Sequence, residues 1–185
     1  MRVEIVDDTQ GQAWVPAFPP GENYVDLRQN PPGVERIAPA RAYLPLRNFL
    51  IAVNSPESVF SSATAAIELN LAAGDPPGEI HEFISRISLV FTIAALNFDR
   101  GNYTELAAGL KELLESDSAE STRSVLRISS CDFPEKNRRG FCLGVQLVAQ
   151  GDSARQAEMR WGLGLARVQQ ALLFRARALG QQIGA

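Results

Sequence analysis

Residues 124–150 read SVLRISSCDFPEKNRRGFCLGVQLVAQ, two strand-length runs either side of a turn made of proline, asparagine and charged residues. The runs Ser124–Phe133 and Phe141–Gln150 alternate apolar and mostly polar positions. A period of two puts successive side chains on opposite faces, so each run buries one face. Pairing them so that facing residue numbers sum to 273 sets Leu126 against Leu147 and Ile128 against Val145 on the apolar side. On the other side Arg127 then meets Gln146, and Cys131 meets Cys142. This antiparallel hairpin is the element from which the rest of the chain is placed.

Downstream, Gly151-Asp152-Ser153 leads into a long helix from about Ala154 to Leu179. Asp152 or Ser153 can cap its start, because a short oxygen side chain there accepts from a free backbone N–H. Trp161, Leu165, Val168, Leu172 and Leu179 follow a near-heptad seam, with Arg175 at the vacant inner position. The seam packs on the hairpin of its own chain or, in part, on a second subunit. Gly162 and Ala166, four residues apart, leave room for another backbone.

Upstream, residues 39–117 read as helical. Pro39–Val53 carries Leu44, Leu46, Phe49, Leu50 and Val53, with Pro45 kinking the helix or delaying its start. Ser55-Pro56-Glu57 has the composition of a helix opening, and Val59, Phe60, Ala63, Ile67 and Leu71 follow at helical spacing up to Gly74. After the break Asp75-Pro76-Pro77-Gly78, the segment from Glu79 to about Asn97 is expected to form the most buried helix, and Tyr103–Ser116 another.

Residues 1–38 read as an extended, Pro-rich arm, with short strands at Arg2–Val6, Gln12–Ala17 and Tyr24–Leu27. Trp14, Phe18 and Tyr24 would anchor it across its own domain or a neighbouring subunit. The expected architecture is therefore α+β. It comprises the arm (1–38) and one globular domain (39–185) with a helical middle, an antiparallel hairpin and a long C-terminal helix.

The 185 residues include 18 Lys+Arg and 21 Asp+Glu, a formal net charge of −3. That sum conceals a split: residues 1–122 hold 8 basic and 17 acidic groups, net −9, and residues 123–185 hold 10 and 4, net +6. The basic part is concentrated in Lys136, Arg138 and Arg139 at the hairpin turn and in Arg160, Arg167 and Arg175, which lie within a quarter-turn of one another on an ideal helix. These six are the candidate contacts to an anion or an acidic partner. Phosphate binding there would weaken steeply with salt. Charge facing charge within the fold, or between subunits, accounts for the split equally well.

Few chemistries have their residues in place. The sequence has no phosphate-binding Gly-Lys-Ser/Thr loop and no Gly-x-Ser-x-Gly elbow. A zinc-protease helix around His81-Glu82 would need a second His where Ser85 stands, and one His with two Cys is one ligand short of a structural zinc site. No cofactor or metal is expected. Cys131 and Cys142 could be spectator thiols, a cross-strand disulfide, or a thiol activated by the nearby cations.

The start of the chain lacks the basic and apolar regions of a secretory signal. Its longest apolar run, Leu89 to Leu96, is 8 residues and interrupted by Thr92, well short of the ~20 that span a bilayer. A cytoplasmic protein with no membrane partner is expected. These readings point to a non-enzymatic interaction or assembly protein, a small chaperone-, adaptor- or immunity-like factor that self-associates or binds another protein. The second expectation is a nucleic-acid-binding structural protein such as a coat or nucleocapsid subunit.

Overall fold

The computed structural model describes residues 1–11, 15–21, 24–73, 79–115 and 122–183. Along the chain come β1 (Arg2–Asp8), α1 (Ala38–Ala42), α2 (Leu44–Val53), β2 (Phe60–Ala73), β3 (Glu79–Phe91), α3 (Arg100–Glu115), β4 (Thr122–Phe133), β5 (Arg138–Gly151) and α4 (Ala154–Ile183). The five strands form one sheet in the order β1-β4-β5-β3-β2, with β1 parallel to β4 and every other pair antiparallel. The α+β class, the β4–β5 hairpin and the long C-terminal helix are all present. No helix among the described residues is long and apolar enough to cross a membrane.

The hairpin pairs two residues away from the expected register. Facing numbers sum to 271, so Leu126 meets Val145, Ile128 meets Leu143, and Arg127 meets Gly144. Phe133 already pairs with Arg138, leaving a four-residue turn closed by Asn137 at φ 45°. Asparagine tolerates that left-handed conformation better than most residues. A slip of two keeps every side chain on its expected face and changes only its partner.

The larger correction concerns the middle of the chain. Residues 60–73 and 79–91 pair as a long antiparallel hairpin where helices were expected, and Ser55-Pro56-Glu57 is part of a turn. In β3, Phe83, Ser85, Ile87, Leu89 and Phe91 face the helices while Ile84, Ser88 and Val90 are buried on the reverse side. An interior strand covered on both faces is apolar almost throughout, so its residues fit a period of 3.6 as well as a period of two. The β-branched and aromatic residues of 80–91 favour the strand. The Asp75-Pro76-Pro77-Gly78 break and Trp14 lie outside the described residues.

All three longer helices cover one face of the sheet. α4 lays Ala157, Trp161, Leu165, Val168, Leu172 and Ala176 into the core, so its seam packs on its own sheet and helices. Ser153 caps it, its Oγ accepting from Gln156 N at 3.2 Å. Trp161 is wholly buried. Its indole N–H donates to Ser85 Oγ at 2.9 Å, and its ring lies 4.6 Å from Phe83 and 6.1 Å from Tyr43. The room at Gly162 is taken by Pro45 of α2, whose side chain would lie 3.1 Å from an added Cβ.

The arm stays on its own molecule. β1 joins the sheet, and Met1, Val3, Leu27 and Val34 enter the main core. The chain then crosses the other face at the β4–β5 turn end. There Phe18 N donates to Asp132 O (2.8 Å) and Asp132 N donates to Pro16 O (3.0 Å), while Val15 and Phe18 pack with Cys131, Phe133, Cys142 and Val90. Of the second expected strand, residues 12–14 lie outside the described residues, and Ala17 makes one bridge to Asp132; the third, Tyr24–Leu27, is not a strand. Further on, Arg28 donates to the carbonyls of Ser55 and Ser58, both at 2.8 Å, and of Pro56 at 3.2 Å, clasping the loop that leads into β2.

The Trp161 contact is the centre of this packing. Trp161→Ala is expected to lower unfolding stability by about 3–5 kcal/mol through lost burial and a residual cavity. Ser85→Ala, which strands the indole N–H, is expected to cost roughly 1–3 kcal/mol. Urea unfolding followed by circular dichroism measures both.

Candidate interaction surfaces

The six cations singled out by sequence do not converge. Lys136, Arg138 and Arg139 are exposed at the β4–β5 turn, where the Arg138 guanidinium sits 4.2 Å from the Phe98 ring centre. Arg139 borders an open cavity of about 470 Å³ with Thr9, Gln10, Arg100 and Ser130, and Arg100 is already paired with Asp7. Arg160 is at the other end of β5, donating to Gln150 O at 2.7 Å. Eleven residues of extended strand, at about 3.3 Å each, put roughly 36 Å between Arg139 and Gln150. Arg175 turns inward across Gly109 and reaches Glu105 at 3.4 Å, and Arg167 is half-buried on α4. Arg175 and, outside the six, Arg127 with Asp8 thus pair with acids of the first part of the chain.

Cys131 and Cys142 are free, buried thiols. The register sets Cys131 opposite Gly140 and Cys142 opposite Ser129, so the two are diagonal neighbours and not the facing pair expected. Its hydrogen bond to Cys142, followed by burial, pushes the Cys131 thiol well above the usual range. That favours the neutral, unreactive form.

Other polar groups serve the fold. Asn97 bonds both backbone groups of Phe91 at 2.8 Å and accepts the Tyr103 hydroxyl at 2.6 Å, while burial holds that phenol well above its ordinary range. His81 lies in β3 opposite Leu71 and Gly151. Among the described residues, no group of three or more His, Cys, Asp or Glu is placed to hold a metal ion. A second open cavity, about 390 Å³, lies under the arm among Phe18, Tyr24, Phe91, Phe133 and Lys136.

The two edges of the sheet differ most. β1 is 7 residues long, carries Arg2, Glu4, Asp7 and Asp8, and is closed by α3: Val3 N donates to Glu115 Oε1 at 3.1 Å, and Arg100 pairs with Asp7. Short length, charge and cover are the usual protections of an edge strand. β2 is 14 residues long with one charged residue, Glu68, which is held by Arg86 of its neighbour β3. The Arg86 guanidinium keeps the Glu68 carboxyl below its usual range.

The start of β2 is walled by the arm, where Ser62–Ala65 share a cavity with Pro20, Tyr24, Val25 and Ile37. From Ala66 to Leu71, among the described residues, no group outside β3 hydrogen-bonds to the strand. Leu69 and Leu71 point to the helix-covered side, opposite Phe83 and His81, yet remain 52% and 65% exposed. Sequence reasoning missed this surface because it read the segment as helix. The outer side of α4 carries a sparser apolar set, Met159, Leu163 and Phe174.

No protein-family model matches the chain, and no curated protein or solved structure matches it either.

Both thiols are expected to resist a disulfide-exchange reagent in the native protein, reacting at least about 100-fold more slowly than in urea, where two thiols per chain should titrate. Fast native labelling of Cys131 would show an activated thiol instead.

Proposed function

We propose that this protein is a non-enzymatic interaction and assembly module that binds a protein strand along the open edge of β2. The observation that carries the reading is the contrast between the sheet's edges, one short, charged and covered by α3, the other long, almost uncharged and flanked by exposed leucines. Unpaired N–H and C=O groups along an edge template the addition of another strand, and side chains at alternate positions supply specificity. Dispersal of the six cations over two ends of the molecule favours this reading over a phosphate-lined genome surface.

Light scattering on the purified chain tests it. A self-associating or partner-bound mass is expected for the natural sequence. Replacing both exposed leucines (Leu69→Lys with Leu71→Lys) is expected to raise the dissociation constant by roughly 10³-fold or more, since each buried leucine is worth about 1.5–3 kcal/mol. The circular dichroism spectrum should not change, because both side chains face solvent in the monomer. An unchanged assembly in that variant would overturn the proposal. Nucleic acid that co-purifies and dissociates in high salt would support the coat-protein alternative.

A further inference from the structure

Accepting that β2 recruits a strand, we infer that the recruited strand is β2 of a second copy, paired antiparallel about a twofold axis through Leu69, so that two five-stranded sheets become one of ten. A twofold contact needs a surface complementary to itself, and in antiparallel pairing facing residues must lie on the same side of the sheet. On this strand only even-numbered sums of facing residues satisfy that.

Six such registers are centred on the open stretch, and the four on its interior residues keep most of it paired. Centring on Glu68 sets two carboxylates face to face, which is unfavourable. Centring on Ile67 or Asn70 leaves part of the apolar row without an apolar partner of similar size. Centring on Leu69 sets Leu69 against its own copy, Ile67 against Leu71 twice, and Glu68 against Asn70 twice. All six large apolar side chains are then covered, and each carboxylate faces an amide that can donate to it. The helices of both copies lie on the same side of the joined sheet, so the leucine row continues the core side of each.

The outer side of α4 is the competing surface for a second copy. There Gln170 and Arg177 interrupt Met159, Leu163 and Phe174, and Arg155 and Arg160 flank them with Glu158 as the acid nearby. Joining that side to itself would bring arginines together, whereas the one charge of the β2 edge, Glu68, faces Asn70 of the other copy and stays paired with Arg86 of its own.

Cysteine cross-linking distinguishes the registers. Facing Cβ atoms in an antiparallel pair are ~4.5–5.5 Å apart, close to the spacing of a disulfide. Leu69→Cys lies on the axis and should form a covalent dimer on mild oxidation. Leu71→Cys is offset from its copy by four residues, about 13 Å along the strand, and should cross-link at least fivefold less. Combining Ile67→Cys with Leu71→Cys should restore it, and Glu4→Cys on the opposite edge should give none. The masses of the same variants are read under reducing conditions.

A dimeric mass with Leu69→Cys cross-linking no better than Leu71→Cys would overturn this register while leaving strand addition in place. A dimeric mass in which Leu163→Cys cross-links and Leu69→Cys does not would overturn both the register and the use of β2. A monomeric mass at every concentration would overturn self-pairing.

Discussion

An open sheet ends in two strands whose outward backbone groups must find water, a covering element or another strand. Here the two ends are treated in opposite ways. At β1 the chain spends charge and a helix: Glu115 accepts the Val3 amide, and Arg100 of the same helix holds Asp7. At β2 the arm shields only the first residues, and the strand continues past it with alanine, isoleucine, leucine, one asparagine and a single glutamate. The rest of the molecule follows from having three helices to cover five strands. They lie over β1, β4, β5, β3 and the start of β2, and the far half of β2 extends beyond them.

The same constraint explains the role of the arm. Its prolines remove ladder donors, so it cannot continue the sheet beyond the short Ala17–Asp132 bridge. It serves as a strap, fastened by Phe18 and Val15 at one end of the sheet and by Arg28 on the loop before β2. Fixing that loop fixes where β2 begins, and so which residues of β2 emerge past the shield. The buried Asn97–Tyr103–Phe91 contacts do the equivalent at the end of β3. Each is a polar device in the service of strand placement.

Much of the architecture was legible where one face of an element is buried and the other is not. β4 and β5 alternate cleanly enough to give their faces, and α4 shows its capping serine, its seam and its length. The exact hairpin partners were not legible, because a shift of two residues leaves the alternation unchanged. β3 defeated the reading for a different reason: Phe83, Ile84, Ile87, Val90 and Phe91 fill both faces of an interior strand, and their spacing satisfies a helix as well. β2, rich in alanine and serine, inherited the same error. The pairing of β1 with β4 joins residues more than a hundred positions apart, beyond any local pattern.

The candidate surface was hidden first by the helical reading of its segment and then by that same long-range order. Whether Leu69 and Leu71 are core or surface depends on strand order, and strand order is a property of the whole chain. The basic residues, by contrast, were conspicuous in sequence but are separated by the length of β5 and partly absorbed by acids such as Glu105. Pairs such as Arg127–Asp8 and Arg175–Glu105 turn part of the charge segregation along the chain into neutralisation across it.

Hydrogen exchange of the β2 backbone amides, followed as protein concentration rises, tests the central claim most directly. Strand pairing at this edge predicts that the outward-pointing amides between Ala66 and Leu71 exchange freely in dilute solution and become protected as the protein associates. Protection that never develops there while the mass of the assembly doubles would contradict it.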